Sequence, residues 1–95
     1  MTDVDVKDRP SALRYIAVVD GDEVGHIDYR LEDDVVVMTH TEVDPDRQEQ
    51  GVGSELVRQA LEDVRSNGKK VKPVCAFVRS FIDEHDEYRG LVAGL

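Results

Sequence analysis

From Leu13 onward the chain alternates. Leu13, Tyr15, Ala17 and Val19 fall on one side of an extended segment, and Arg14, Ile16 and Val18 on the other, until Asp20-Gly21-Asp22 breaks the run. A period of two predicts a strand over 13–19, and a glycine free to take positive φ predicts a tight hairpin after it. The alternation resumes over 24–31, with Gly25, Ile27, Tyr29 and Leu31 opposite His26, Asp28 and Arg30, which reads as a second, half-buried strand. After the polar break Glu32-Asp33-Asp34, the β-branched stretch VVVMTHTEV over 35–43 carries apolar residues on both faces and predicts a strand inside a sheet.

The period then changes. Asp44-Pro45-Asp46 ends the third strand, since proline lacks the amide proton a ladder needs, and a polar loop over 47–50 leads into Gly51-Val52-Gly53. Val52, Leu56, Ala60, Leu61 and Val64 share one helical face, with Glu55, Arg58, Glu62 and Arg65 on the other, so an amphipathic helix begins there and stops at Asn67-Gly68. KVKPVCAF over 70–77 reads as a fourth strand, at an edge or bulged because of Pro73, and 79–88 as a shorter helix, followed by an apolar tail over 91–95. Residues 1–10 are polar and read as a loose leader, so 11–95 form the predicted domain. The order β-β-β-α-β-α, with the third and fourth strands parallel across a right-handed crossover, predicts an α/β (α+β) fold on a mixed sheet.

Composition narrows what such a fold can do. Ninety-five residues supply one domain and no second core. The 21 acids against 12 Lys and Arg give a net charge of −9, which repels nucleic acid and anionic membranes and excludes polyanion binding as the main task. No apolar run approaches the roughly 20 residues of a membrane span, and no signal pattern opens the chain, so a cytoplasmic protein, monomeric or weakly dimeric, is expected. The single cysteine, Cys75, excludes a disulfide framework and a Cys-rich zinc site. The acidic run 83–87 reads as a solvated face, because consecutive helical residues point in different directions, and no metal is implied.

The glycine pair after a buried strand is the feature that points to chemistry. Gln48-Glu49-Gln50-Gly51-Val52-Gly53-Ser54 lets the backbone turn with several N–H groups outward at the positive end of the helix, which suits a phosphate; an ordinary glycine-softened helix start has the same spacing. No Lys-Ser or Lys-Thr follows, as a Walker loop requires, and Leu56 stands where a dinucleotide fingerprint needs a third glycine.

What is left, Q-x-x-G-x-G after a strand and V-D-P, resembles the acyl-CoA N-acyltransferases of the GNAT superfamily. THTEVDPDRQEQGVGSELV, PVCAFV and FIDEHDEY together are similar to its small, stripped-down members, which keep the acetyl-CoA core and lack the N-terminal substrate-binding helices. The resemblance spans roughly 11–92. It departs at Gln50, where a basic residue is usual, at Asp86, where proline is expected, and at Phe81, near the position of a tyrosine general acid.

The resemblance implies acetyl-CoA as cofactor and an amine as acceptor: a small amine, a lysine or an N-terminus. The backbone of Gln48, Glu49, Gln50, Gly51, Val52, Gly53 and Ser54 would hold the pyrophosphate, with Arg47 and either Arg79 or Lys69 replacing the missing charge. The pantetheine arm would pair along Thr41 to Val43 where two parallel strands splay apart, and the thioester would point at Cys75. A backbone N–H of Glu42 or Val43 would stabilise the oxyanion. His40 would accept the amine proton, with Glu42 second, unless His40 is a solvated surface histidine. Cys75 would protonate the leaving thiolate, touch the acetyl group or carry it covalently through a thiolate that His40 helps to form, unless it is a small buried hydrophobe. His26 and His85 are weaker candidate bases; His85 equally caps or packs its helix, and Tyr88 is a further candidate acid or an anchor for the tail. The alternative function is a non-catalytic CoA-binding or protein-interaction module.

Overall fold

In the computed structural model, which describes residues 3–94 apart from the side chains of Glu49 and Gln50, five strands form one sheet in sequential order. They are β1 (Asp5–Arg9), β2 (Arg14–Val19), β3 (Asp22–Glu32), β4 (Val35–Val43) and β5 (Lys70–Pro73). The first four pair antiparallel, and β5 runs parallel to β4. Helix α1 (Val52–Ser66) crosses between β4 and β5, α2 (Ala76–Glu84) follows β5, and short 3-10 segments occupy Pro10–Ala12, Pro45–Gln50 and Asp86–Leu91. The mixed α+β sheet of the sequence reading is present, with one strand added at its start.

That strand corrects the expected loose leader. Asp5 to Arg9 pair with Val18 to Arg14, Val4 and Val6 pack against the core, Tyr29 donates to Asp8 at 2.6 Å, and the Gln59 amide of α1 donates to the Val4 carbonyl at 2.8 Å. A polar strand forms here because tertiary partners receive it, not because its own pattern calls for it.

The β2–β3 hairpin turns through Asp20 (φ 51°) and Gly21 (φ 86°), both left-handed, as a two-residue turn matched to strand twist requires. Tyr15, Ala17, Val19, Val24, Ile27, Tyr29, Val36 and Met38 line one sheet face and join the apolar residues of α1, α2 and the final 3-10 segment in one core. Ile16 and Val37 are buried but lie outside that core, on the other face, which carries no helix. All five apolar positions read for α1 are fully buried, together with Val57.

Two departures shape the site. β4 pairs Asp28 with His40 but Tyr29 with Met38, so Thr39 is an extra residue, a bulge whose hydroxyl donates to the Asp28 carbonyl at 3.2 Å. The fourth strand ends at Pro73 instead of Phe77: the N–H groups of Val74 and Cys75 both reach the Met38 carbonyl at 3.0 Å, and the chain turns directly into α2. The second helix therefore begins at Ala76, three residues early, and ends at Glu84, leaving Tyr88 in the 3-10 segment.

Removal of residues 1–9 is expected to destabilise the domain by at least about 2 kcal/mol, from two half-buried valines and the hydrogen bonds of Asp8 and Val4. Urea titration checks this, and an unmoved midpoint would make β1 dispensable.

Candidate functional site

The parallel ladder of β4 and β5 stops at Met38 and Pro73. Beyond it, β4 continues for five residues with β3 on one side and no strand on the other. Alternate residues of a strand turn their amide groups to opposite sides. The Asp44 N–H bonds the Val24 carbonyl at 2.8 Å, so the amide of Glu42 also faces β3, and the amides of Thr41 and Val43 face the open side. Of the two candidate oxyanion donors, the Glu42 N–H is directed into the sheet and the Val43 N–H into the gap.

The gap opens into a cleft of about 390 Å3 lined by Thr41, Val43, Gln48, Gly51, Gly53, Ser54 and Phe77. Its floor is the start of α1. Gly51 precedes the helix at φ 74°, no side chain caps it, and the first helical bond runs from Glu55 N–H to the Gly51 carbonyl at 3.1 Å. The N–H groups of Val52, Gly53 and Ser54 therefore have no partner within the helix, and the positive end of the macrodipole adds to them. Glu55, the acid of that first turn, is turned along the helix onto Arg58 and Gln59. The Gln48 amide bonds the Val43 carbonyl at 3.3 Å and ties the loop to the strand edge.

Cys75 adjoins the cleft through its lining residue Thr41. It caps α2 in extended conformation (φ −68°, ψ 129°), half-buried, and its thiol donates to the Thr41 hydroxyl at 3.3 Å. Burial pushes the thiol up, but the Thr41 hydroxyl and the backbone N–H groups of Val78 and Phe77 stabilise the thiolate more, and the balance lowers the group below an ordinary cysteine. Two helix N-termini thus converge on one cleft, α1 at its floor and α2 behind its inner end.

The other candidates divide by face. His40 and Glu42 are exposed, 3.7 Å apart, on the side of β4 turned away from Thr41 and Cys75, so the sequence expectation that His40 assists the Cys75 thiolate does not fit: Thr41 holds that place. His26 lies beside His40 on the same face, the rings 6.2 Å apart. Arg47 lies near the loop with its guanidinium 3.9 Å from Asp22. Arg79 is exposed on the first turn of α2. Val52 contributes its N–H only, its side chain being fully buried. Lys69 follows the far end of the fifteen-residue α1, about 22 Å from the cradle, which removes it as a compensating charge. The side chains of Glu49 and Gln50 lie outside the described residues.

Two further candidates make structural contacts. His85 stacks on Phe81 at 4.0 Å and lies 2.7 Å from the Phe81 carbonyl at the end of α2. Tyr88 donates to Glu62 at 2.7 Å under the Arg65 guanidinium and anchors the tail to α1. Among the described residues no cluster of His, Cys, Asp and Glu is arranged to hold a metal, and no helix is long and apolar enough to cross a membrane.

The family model for GCN5-related N-acetyl-transferase matches residues 14–91, from the start of β2 to the end of the last 3-10 segment. The chain belongs to the GCN5-related N-acetyltransferase family. The solution structure of a GCN5-like protein from Staphylococcus aureus superposes with a TM-score of 0.72 at 24% identity, covering 100% of this chain and 93% of that one. The crystal structure of the ribosomal-protein-S18-alanine N-acetyltransferase from Escherichia coli gives 0.63 at 18% identity over 76% of this chain. That match spans only 50% of the Escherichia coli chain. No curated protein sequence matches. At these identities the two structures speak for the fold alone.

Sequence reasoning missed Phe77, read as the end of a strand. The signal available was the second glycine of the loop, since a Cβ at Gly53 would stand 2.8 Å from the Phe77 ring.

Thr41→Val removes the hydroxyl that stabilises the Cys75 thiolate and is expected to raise the thiol pKa. The rate of Cys75 alkylation by iodoacetamide, followed against pH, should then rise at higher pH than in the parent; coincident profiles would show that Thr41 does not tune the thiol.

Proposed function

We propose that the protein transfers an acetyl group from acetyl-CoA to an amine by direct attack. The observation that carries this reading is a set of amide groups left over by strand and helix pairing among the described residues, Thr41 and Val43 on the strand edge and Val52, Gly53 and Ser54 at the start of α1, with Thr41, Val43, Gly53 and Ser54 bordering one cleft. A diphosphate fits the helix start, where several donors and a helix dipole meet, and an arm built of two amides fits the strand edge by adding to it as a strand would. When bound, acetyl-CoA supplies an activated acyl group.

The remaining work belongs to this chain. Gly51 to Ser54 hold the diphosphate by hydrogen bonds that need no positive side chain, and Arg47 and Arg79 add charge at the rim. Thr41 and Val43 align the arm. Because β5 departs at Met38, the gap joins the cleft to the helix-free sheet face, where His40 and Glu42 stand. An amine arriving over that face meets His40 Nε2 as proton acceptor, with Glu42 Oε1 beside it to favour the imidazolium. On the opposite side of the strand the Cys75 thiol is available to return a proton to the departing sulfur. A cationic amine suits the acidic surface.

CoA is expected to raise the melting temperature, by an amount equivalent to about 2.7 kcal/mol at one hundred times its dissociation constant. Gly51→Asp, which places a carboxylate in the cradle at a φ that Asp tolerates, is expected to abolish the shift while the protein stays folded. A full shift in that variant would remove the phosphate site from the loop.

His40→Gln is expected to lower kcat on a polyamine or peptide acceptor about a hundredfold with the KM for acetyl-CoA unchanged, measured by release of free thiol. Unchanged kcat would exclude His40 as the base. Tight CoA binding with no turnover on any acceptor would replace the enzyme with a CoA-binding module.

A further inference from the structure

We propose that Phe77 is a specificity-determining residue of the cleft: its ring, seated on Gly53, forms the apolar wall that covers the pantetheine arm and makes the site bind CoA in preference to its nucleotide half. This rests on the acetyl-CoA reading above and adds to it a residue and a division of the ligand between two parts of the cleft.

The cleft has two chemically different sides. The strand edge and the start of α1 present amide groups; opposite them stands a phenyl ring that is 43% exposed although its neighbours Val78, Phe81 and Ile82 on the same helix are buried. The core of α2 is complete without this ring, which lines the cleft instead. Pantetheine is a chain with the same two-sided chemistry. Its amides would pair with Thr41 and Val43, and its methylenes and paired methyl groups would then lie against whatever faces the strand edge. Phe77 and the Val43 side chain are the apolar groups that line the cleft.

The position of the ring depends on Gly53. A Cβ there would lie 2.8 Å from Phe77 Cζ and 3.6 Å from Val43 Cγ2, so the glycine admits the ring to the floor of the cleft between α1 and β4. It is not in the left-handed region, unlike Gly51, and conformational freedom does not explain it. Gly51 serves the turn, and Gly53 serves the ring. The contact also joins the start of α1 to the first turn of α2, which keeps the amide cradle and Cys75 at a fixed separation along the cleft.

The test measures the affinity of the intact protein for two ligands by titration calorimetry: CoA, and adenosine 3′-phosphate 5′-diphosphate, which lacks the pantetheine arm. Phe77→Ala is expected to weaken CoA roughly tenfold and to leave the nucleotide within about twofold, because only the arm loses its cover. Phe77→Leu, which keeps an apolar wall and guards against a folding defect in the alanine variant, should retain most of the CoA affinity. Equal losses for the two ligands, or CoA affinity unchanged in Phe77→Ala, overturn the assignment while leaving the acetyl-CoA reading intact. Parent protein that binds neither ligand overturns both.

Discussion

A strand can satisfy its backbone on both edges or offer one edge to something else, and the whole site follows from where β4 makes that change. Up to Met38 its two neighbours are β3 and β5; after it, β3 alone. Thr39, the extra residue, is the device. It reverses the phase of the strand, so that Met38 and Thr41, three apart, lie on the same side, and His40 and Glu42 are turned to the other. In a regular strand Thr39 and Thr41 would share the face of Val37, and His40 instead of Thr41 would be turned toward Cys75. The bulge also lets one carbonyl, that of Met38, hold both Val74 and Cys75 as β5 leaves the sheet. Unpaired backbone polar groups are costly when buried, so the open amides of Thr41 and Val43 persist only at the edge of a water-filled cleft.

The same strand separates two kinds of chemistry. On the helix side lie the amide cradle, the Thr41–Cys75 contact and Phe77; on the bare side lie His40, Glu42 and His26. A side chain on one face of a strand cannot reach past the backbone to its neighbour on the other, and so Cys75 takes its polarisation from Thr41 and from the start of α2 instead of from an imidazole. The gap left by β5 is where the two faces communicate. On the proposed reading an acceptor would approach over the open sheet face, where His40 and Glu42 stand.

Much of this was legible in the chain. The 3.6-residue period of α1 named five residues that are all fully buried, the Gly51-Val52-Gly53 loop marked the helix start, and VVVMTHTEV marked β4 to its last residue. The misses share a cause. β1 has only Val4 and Val6 to mark it, and it exists because Gln59, Tyr29 and β2 accept it. Val74-Cys75-Ala76-Phe77 has strand-like side chains, but the competition was decided by a long-range bond to Met38, which no local pattern contains. The bulge at Thr39 is invisible for the same reason: alternation continues through it in composition while reversing in space. Hence His40 and Cys75 read as neighbours from their residue types and lie on opposite sides.

Charge poses the remaining question, because a protein with a net charge of −9 is an unpromising host for a polyanion. The mean field of that charge acts through water and is screened within about 8 to 10 Å at ordinary ionic strength, whereas an amide hydrogen acts at hydrogen-bond range. Two acids near the cradle are engaged among the described residues: Asp22 faces Arg47, and Glu55 is drawn onto Arg58. What a phosphate meets at Gly51 to Ser54 is a set of oriented dipoles that carry no net charge and need no counterion. An acidic surface and an anion site are compatible on one small domain when the site is made of backbone, and on the proposed reading the carboxylates outside it would favour a cationic acceptor.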